Sequence, residues 1–164
     1  MSVQRVIKYW ESSAGVLRQV CRRVNMSSKP ANNAAEDLLA TATSTSCLGL
    51  AAPQIGLTSR MFVARQFFGE EPSDAPLFHV ISNPEILWRS PIKSIAFEGC
   101  LSIPDVQFSV ARPYSISVAF DDFASERRIT QRLYGLEARV FQHEYDHLNG
   151  ILLFQRAQKQ HYMA

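Results

Sequence analysis

Two histidines with a glutamate beside the first form the strongest chemical signal in the chain. His143, Glu144 and His147 match the pattern H-E-x-x-H. Residues four apart lie one turn above each other on a helix, so both imidazoles can reach one metal ion. Glu144 then projects alongside, where it can handle the protons of water activated by that ion. Because such short matches also arise by chance, the alternative is a surface helix with two ordinary histidines.

A site of this kind needs a third protein ligand. No Asp or Glu follows His147, and the longer H-x-x-G-x-x-H continuation places Leu153 at its ligand position. We interpret His161, the histidine farther downstream, as part of a solvated tail at residues 158–162. The third ligand is therefore expected upstream. Its candidates are Cys21, Cys47, His79 and Cys100.

Cys100 has the setting that best suits a ligand. The preceding Gly99 allows close approach of the backbone, and a thiolate is a strong ligand for a transition metal. A buried, inert thiol is the alternative for Cys100, and it also fits Cys21, which lies in an amphipathic stretch. His79 lies between two apolar residues and is more typical of a strand side chain than of a ligand.

The elements that position these residues follow from hydrophobic spacing. Leu136, Val140, His143 and His147 recur at helical intervals after a glycine, and residues 149–150 (Asn-Gly) are a stop signal. This spacing predicts a helix that carries both histidines.

The rest of the chain is predicted to be mainly strands. Strand patterns cover residues 60–66, 77–82, 114–120 and 127–134, with a helix at 34–43 after a loop at 27–33. Residues 49–56 contain two Gly and one Pro, which predicts an irregular loop. Strands followed by a late helix favour an α+β domain over a parallel α/β sheet.

Length and charge exclude several classes of protein. The 164 residues fit one domain, residues 1–164, and the formal charge of +2 is too small to indicate a nucleic-acid partner. No apolar run is long enough for a membrane span, and the first ten residues lack the apolar core of a secretory signal. Three cysteines without an export signal favour a reducing compartment.

Three separated segments resemble the signature motifs of peptide deformylases. They are residues 48–54 (LGLAAPQ), 98–102 (EGCLS) and 142–150 (QHEYDHLNG), in that family's order and with similar spacing. The resemblance implies antiparallel β-sheets packed around a central metal-binding helix. It also implies that Cys100, His143 and His147 hold one divalent ion, most commonly Fe(II) in the cell, with zinc, nickel or cobalt as substitutes.

The resemblance further implies removal of the N-formyl group from formyl-methionine on newly synthesised proteins, with release of formate. Glu144 is then the proton shuttle, a role typically worth about 10²–10⁴-fold in rate. The side-chain amide of Gln54 and the backbone N–H of Leu101 become the donors that stabilise the oxyanion of the tetrahedral intermediate.

The substrate is expected to bind as an added strand. Its backbone would pair beside Leu48, Gly49 and Gly99, through bonds that are indifferent to sequence. Leu136 and Val140 would line a pocket for the methionine side chain, with simple core packing as their alternative role. We also expect an ion pair between residues 98 and 112 (Glu and Arg) that steadies the cysteine loop.

The chain departs from the family pattern at several points. Cys47 stands where the family usually has Gly, which adds bulk beside the cleft, and Gln107 replaces an Arg often found after the cysteine motif. The chain stops soon after Phe154, so a long C-terminal helix is not expected and ribosome contact through one is unsupported. The expected compartment is the cytoplasm of a bacterium, or otherwise the interior of a mitochondrion or plastid.

Two other functions fit parts of the pattern. A metallopeptidase would use the same histidines, but the downstream ligand of such enzymes is absent. A closed, structural metal site would need neither Glu144 nor Gln54.

Overall fold

The computed structural model describes residues 2–65 and 78–162 of the chain. Gln66 and Leu77, the outer residues of two predicted strands, lie outside the described residues. The helices and longer strands are α1 (Lys29–Thr43), β1 (Gly49–Ala51), β2 (Met61–Arg65), β3 (Phe78–Arg89), β4 (Lys93–Cys100), β5 (Ile103–Pro113), β6 (Ser115–Asp122), β7 (Arg127–Tyr134), α2 (Gly135–Leu148) and β8 (Ala157–Tyr162). Short 3₁₀ helices form at Ser12–Arg18, Ala52–Ile55 and Leu153–Gln155.

Two antiparallel sheets enclose α2. One sheet has five strands in the order β1-β2-β3-β6-β7, and the other has three in the order β4-β5-β8. Helix α2 contacts β1, β2, β6 and β7 of the first sheet and β5 of the second. The α+β fold with antiparallel sheets around the helix that carries both histidines is therefore confirmed.

The apolar face of α2 packs on the five-stranded sheet. Ile116, Val118 and Phe120 project from β6 into the same core cluster as Phe141 of α2, which confirms the alternation predicted for that strand. The ring of Phe141 meets that of Phe62 edge-on, with centroids 5.2 Å apart. This burial holds the helix against one sheet and leaves its histidine face toward the other.

Helix α1 begins earlier than its composition indicates. Ser28 caps it by accepting the N–H of Ala31, and Pro30 occupies the first turn, where its missing N–H costs nothing. The loop predicted at 27–33 is therefore mostly helix. The irregular loop predicted at 49–56 is also more regular than expected, since β1 and the Ala52–Ile55 turn of 3₁₀ helix fill it.

The hydrophobic pattern of the sequence does not predict three of the strands, β4, β5 and β8. In β4 the polarity is inverted, because Ile95 and Phe97 are exposed while Glu98 is buried. Strand β5 is the second strand of the hairpin that β4 begins. Strand β8 consists mainly of polar residues. The tail expected at residues 158–162 is a paired strand instead: β8 pairs with β5 there, with His161 opposite Gln107. Side-chain hydrophobicity could not reveal this strand, because its stabilisation comes from backbone pairing.

After α2 the described chain contains only the short 3₁₀ helix Leu153–Gln155 and β8. No long helix follows α2 within the described residues. Nor is any helix of the described chain both long enough and apolar enough to cross a lipid bilayer.

The turn that ends α2 depends on a glycine. Gly150 has φ +70°, and a Cβ built there would lie 2.4 Å from the carbonyl oxygen of Arg18. We expect Gly150→Ala to lower the free energy of unfolding by more than the ~1–2 kcal/mol of the left-handed conformation alone. Gly15→Ala is the control, because an added Cβ there meets nothing within 4 Å. Urea unfolding measures both variants, and equal stabilities would contradict the close approach.

Candidate metal centre

The predicted ligands meet between the two sheets. Cys100 ends β4, and His143 and His147 lie one turn apart on α2. Their ligand atoms all fall within 4.8 Å of one another. The Sγ of Cys100 is 3.3 Å from Nε2 of His147, and both side chains are buried. Of the four upstream candidates, Cys100 is the one that lies in this group.

The cysteine and the histidines stabilise each other's charged forms. Burial alone would raise the pKa of the Cys100 thiol, but the charge and hydrogen bonds of His147 and His143 hold it well below its ordinary value. Burial likewise opposes charging of His143, yet its bonds to Cys100 and Glu98 raise its pKa well above the usual range. The site therefore favours a thiolate, which is the form that binds metals.

Glu144 lies beside the ligands with one oxygen uncommitted. Its side chain is 3% exposed, and Oε2 has no hydrogen-bond partner among the described residues. Burial raises its pKa to about 7, although both neighbouring histidines oppose that shift. On its other side a Cβ at Gly49 would come within 2.5 Å of Oε1, so a larger residue there would displace the Glu144 side chain.

This donor set fits a transition-metal ion. One thiolate and two imidazole nitrogens are ligands that suit zinc and iron alike, and three protein ligands leave a coordination position open. The unpartnered, buried oxygen of Glu144 is what an open site requires, because a closed structural site has no use for it. Cys100, His143 and His147 would hold the ion.

Gln54 reaches the same place from the 3₁₀ helix after β1. Its Oε1 accepts the backbone N–H of Ala51 at 2.9 Å, which fixes the orientation of the amide. Its Nε2 then lies 3.6 Å from Sγ of Cys100 and 3.2 Å from Oγ of Ser102. Leu101 follows Cys100 directly in the turn between β4 and β5.

A cavity of about 520 Å³ opens onto these groups. All five residues predicted to contact substrate line it: Leu48, Gly49, Gly99, Leu136 and Val140. The leucines are exposed at its rim, while Val140 is 7% exposed and also packs inside the protein. The half-buried Cys47 lines the cavity too, as its position beside β1 predicts.

A buried charge cluster supports the ligands from behind. Glu98 accepts Nε and Nη2 of Arg112 at 2.7 and 3.0 Å, Nη1 of Arg139 at 2.6 Å, and bonds Nδ1 of His143 at 3.0 Å. Burial would raise the pKa of Glu98, but the bonds from His143 and Arg112 lower it to about 2. Arg112 also donates to Asp146 at 2.8 Å. The expected ion pair between Glu98 and Arg112 is confirmed.

Sequence reasoning missed part of this cluster. Arg139 precedes His143 by four residues, so helical spacing could have placed it on the same face. Asp146, inside the H-E-x-x-H segment, also receives Nη2 of Arg156 at 2.7 Å. Lys8 lines the cavity as well, and no local signal pointed to it.

The remaining candidates lie elsewhere. Cys21 is buried next to Leu148, and burial raises its pKa to about 11, as expected of an inert thiol. His79 lies on β3 opposite Ala64, and Gln107 pairs with β8. None of the three lines the cavity.

The chain is similar in sequence to proteins of one family. The polypeptide deformylase family matches residues 3–162. A peptide deformylase of Mesorhizobium japonicum is 41% identical over 144 residues, 88% of this chain and 80% of that protein. One from Synechocystis sp. is 37% identical over 142 residues, 86% of this chain and 73% of that protein.

Solved structures agree in fold. The peptide deformylase from Thermotoga maritima superposes with a TM-score of 0.82 at 31% identity, covering 97% of this chain and 100% of that one. A probable peptide deformylase from Synechococcus phage S-SSM7 gives 0.83 at 34% identity, covering 94% and 99%.

Loss of the thiol is expected to abolish tight metal binding. Cys100→Ser removes one of three ligands, so Co(II) affinity should fall by more than the roughly 10–100-fold typical of losing a residue that only orients a ligand. Cys47→Ser is the matched control and should bind normally. Equilibrium dialysis against Co(II) measures the affinity of both variants, because this readout does not require a thiolate ligand. Equal affinity of the two variants would contradict the assigned ligand set.

Removing one arginine from the cluster should destabilise the fold. Arg112→Met leaves Glu98 and Asp146 short of a buried partner, which typically costs about 3–5 kcal/mol in unfolding free energy. Arg128→Met breaks part-exposed ion pairs with residues 85 and 121, worth about 0–1 kcal/mol, together with one hydrogen bond to the carbonyl of Asn83. Urea unfolding compares the two variants. Similar losses of unfolding free energy would contradict the larger stabilising effect expected of the buried cluster.

Proposed function

Because the chain belongs to the polypeptide deformylase family, we propose that it removes the N-formyl group from formyl-methionine on newly synthesised proteins and releases formate. The observation that carries the proposal is the meeting of Cys100, His143 and His147 with a buried carboxylate, Glu144, whose Oε2 is unpartnered. Three ligands beside a free base are what hydrolysis at an open metal site requires.

A divalent ion bound by Cys100, His143 and His147 would polarise a water molecule and the formyl carbonyl. Fe(II) is the proposed ion in the cell, with zinc, nickel or cobalt as substitutes. The protein's own part would be to fix the ligands: Glu98 bonds Nδ1 of His143, which would leave the other ring nitrogen to bind the ion.

Glu144 is the proposed proton carrier. Its pKa of about 7 lets it take a proton from the attacking water and return it to the departing amine near neutral pH. The backbone of Gly49, packed against Oε1, limits the positions open to the carboxylate. A proton therefore moves through one defined atom, Oε2.

Gln54 and Leu101 are the proposed donors to the oxyanion. The amide of Gln54 is already oriented by the N–H of Ala51, so donation needs little rearrangement during the reaction. The backbone N–H of Leu101 would supply the second bond. Losing one donor of this kind typically costs about 10²–10³-fold in turnover.

The peptide is proposed to run along the cavity as an added strand. Leu48, Gly49 and Gly99 would present backbone groups, and Leu136 and Val140 would contact the methionine side chain. Cys47 borders the same space, so the pocket is narrower than one with glycine at that position.

We also propose a domain organisation, partners and a compartment for the protein. Residues 1–164 would form a single catalytic domain that acts on nascent formylated chains, with no nucleic-acid or membrane partner. The compartment would be a bacterial cytoplasm, or the interior of a mitochondrion or plastid.

One assay tests the proposed function. Protein loaded anaerobically with Fe(II) or Ni(II) is given a formyl-Met tripeptide, and formate is measured. The wild type should release formate, and Glu144→Gln should be slower by about 10²–10⁴-fold while folding and binding Co(II) normally.

Other results would point elsewhere. No formate from well-folded, loaded wild type would overturn the proposal. Fragments from an unformylated peptide would indicate a peptidase, and unfolding upon chelation without turnover would indicate a structural site. Full activity of Glu144→Gln would disprove the proposed mechanism even within this family.

A further inference from the structure

A short N-terminal segment, residues 7–9, touches both loops that hold the proposed oxyanion donors. The N–H of Ile7 donates to the backbone carbonyl of Gln54 at 2.8 Å, and the N–H of Tyr9 donates to that of Ser102 at 3.0 Å. Between them, the ammonium of Lys8 donates to the carbonyl of Leu101 at 2.7 Å. Three consecutive residues therefore bridge the two loops.

The segment is itself anchored on its other side. Ile7 and Phe154 both pack against a buried cluster formed by Ala14, Leu17 and Leu152. The ring of Tyr9 lies edge-on to Phe154, with centroids 6.0 Å apart. A segment held in this way can act as a fixed support, because its own movement would disrupt apolar packing.

The bridge matters because the two donors belong to different parts of the fold. Gln54 follows β1 of the five-stranded sheet, and Leu101 joins β4 to β5 of the three-stranded sheet. Gln54 Nε2 links the loops directly through its bonds to Ser102 Oγ at 3.2 Å and to Cys100 Sγ at 3.6 Å. Two donors must hold their separation within about 0.5 Å to serve one oxyanion, so additional ties between the loops have a clear use.

We propose that residues 7–9 form a clip that sets the distance between Gln54 and Leu101, with Lys8 as a positioning residue. Lys8 is the member of the clip that acts through its side chain, and it reaches its acceptor from the wall of the cavity. The part of this proposal that concerns turnover rests on the proposed function. The tie between the loops stands on the hydrogen bonds themselves.

The clip predicts a specific kinetic signature. Lys8→Met keeps the length and packing of the side chain but removes the donor. It should lower kcat by roughly tenfold with KM changed less than about twofold, because misplaced donors weaken only the transition state. Lys8→Arg keeps a cationic donor and should restore most of kcat. Lys29→Met, an exposed lysine at the start of α1, is the control and should behave as wild type.

Hydrogen–deuterium exchange tests the clip without turnover. Lys8→Met should speed exchange of peptides covering residues 50–57 and 99–104, while α1 and β6 remain protected and Co(II) binding is unchanged. Unchanged exchange in both loops would overturn the clip, whatever the kinetics. A rise in KM at constant kcat would also overturn it and make Lys8 a substrate contact instead. If the wild type releases no formate, the proposed function fails, and the exchange result still decides the clip.

Discussion

The buried carboxylate of Glu98 is the interaction on which the rest of the site depends. It lies on β4, yet its oxygens engage Arg112 on β5 and both Arg139 and His143 on α2. One side chain thus connects a strand hairpin to the central helix. It also presents Cys100, two residues farther along β4, to the histidines.

A charge buried in this way is costly unless it is fully paired. Moving an isolated carboxylate out of water costs several kcal/mol even after relaxation, and here three donors offset that cost. Arg112 is paired in turn with Asp146, which extends the cluster to Arg156. Such a network contributes little net stability compared with an apolar core. Its effect is geometric, because few arrangements of β4, β5 and α2 satisfy every charge at once.

Glu144, on the same helix, lies in the opposite kind of environment. Glu144 is buried, as Glu98 is, but one of its oxygens has no hydrogen-bond partner among the described residues. Burial therefore raises its pKa to about 7, whereas that of Glu98 falls to about 2. Two carboxylates on either side of the ligands thus differ by environment alone. One stays charged at neutral pH and bonds His143, and the other can exchange a proton near neutral pH.

The sequence by itself determined the features that depend on neighbouring residues. The spacing of His143, Glu144 and His147 fixed their common helix, because a helical turn is a local property. The alternation in β6 identified its buried face for the same reason. The motifs at residues 48–54 and 98–102 indicated the family and pointed to Cys100.

Only the tertiary structure decided the long-range part. Strand β4 hides its polar side and exposes Ile95 and Phe97, so hydrophobic pattern could not place it. Arg139 donates to a carboxylate 41 residues away, and Lys8 donates to a carbonyl 93 residues away. Such contacts arise from how elements pack against one another. No local preference encodes them, and the approach of Cys100 to His143 and His147 likewise depends on how β4 packs beside α2.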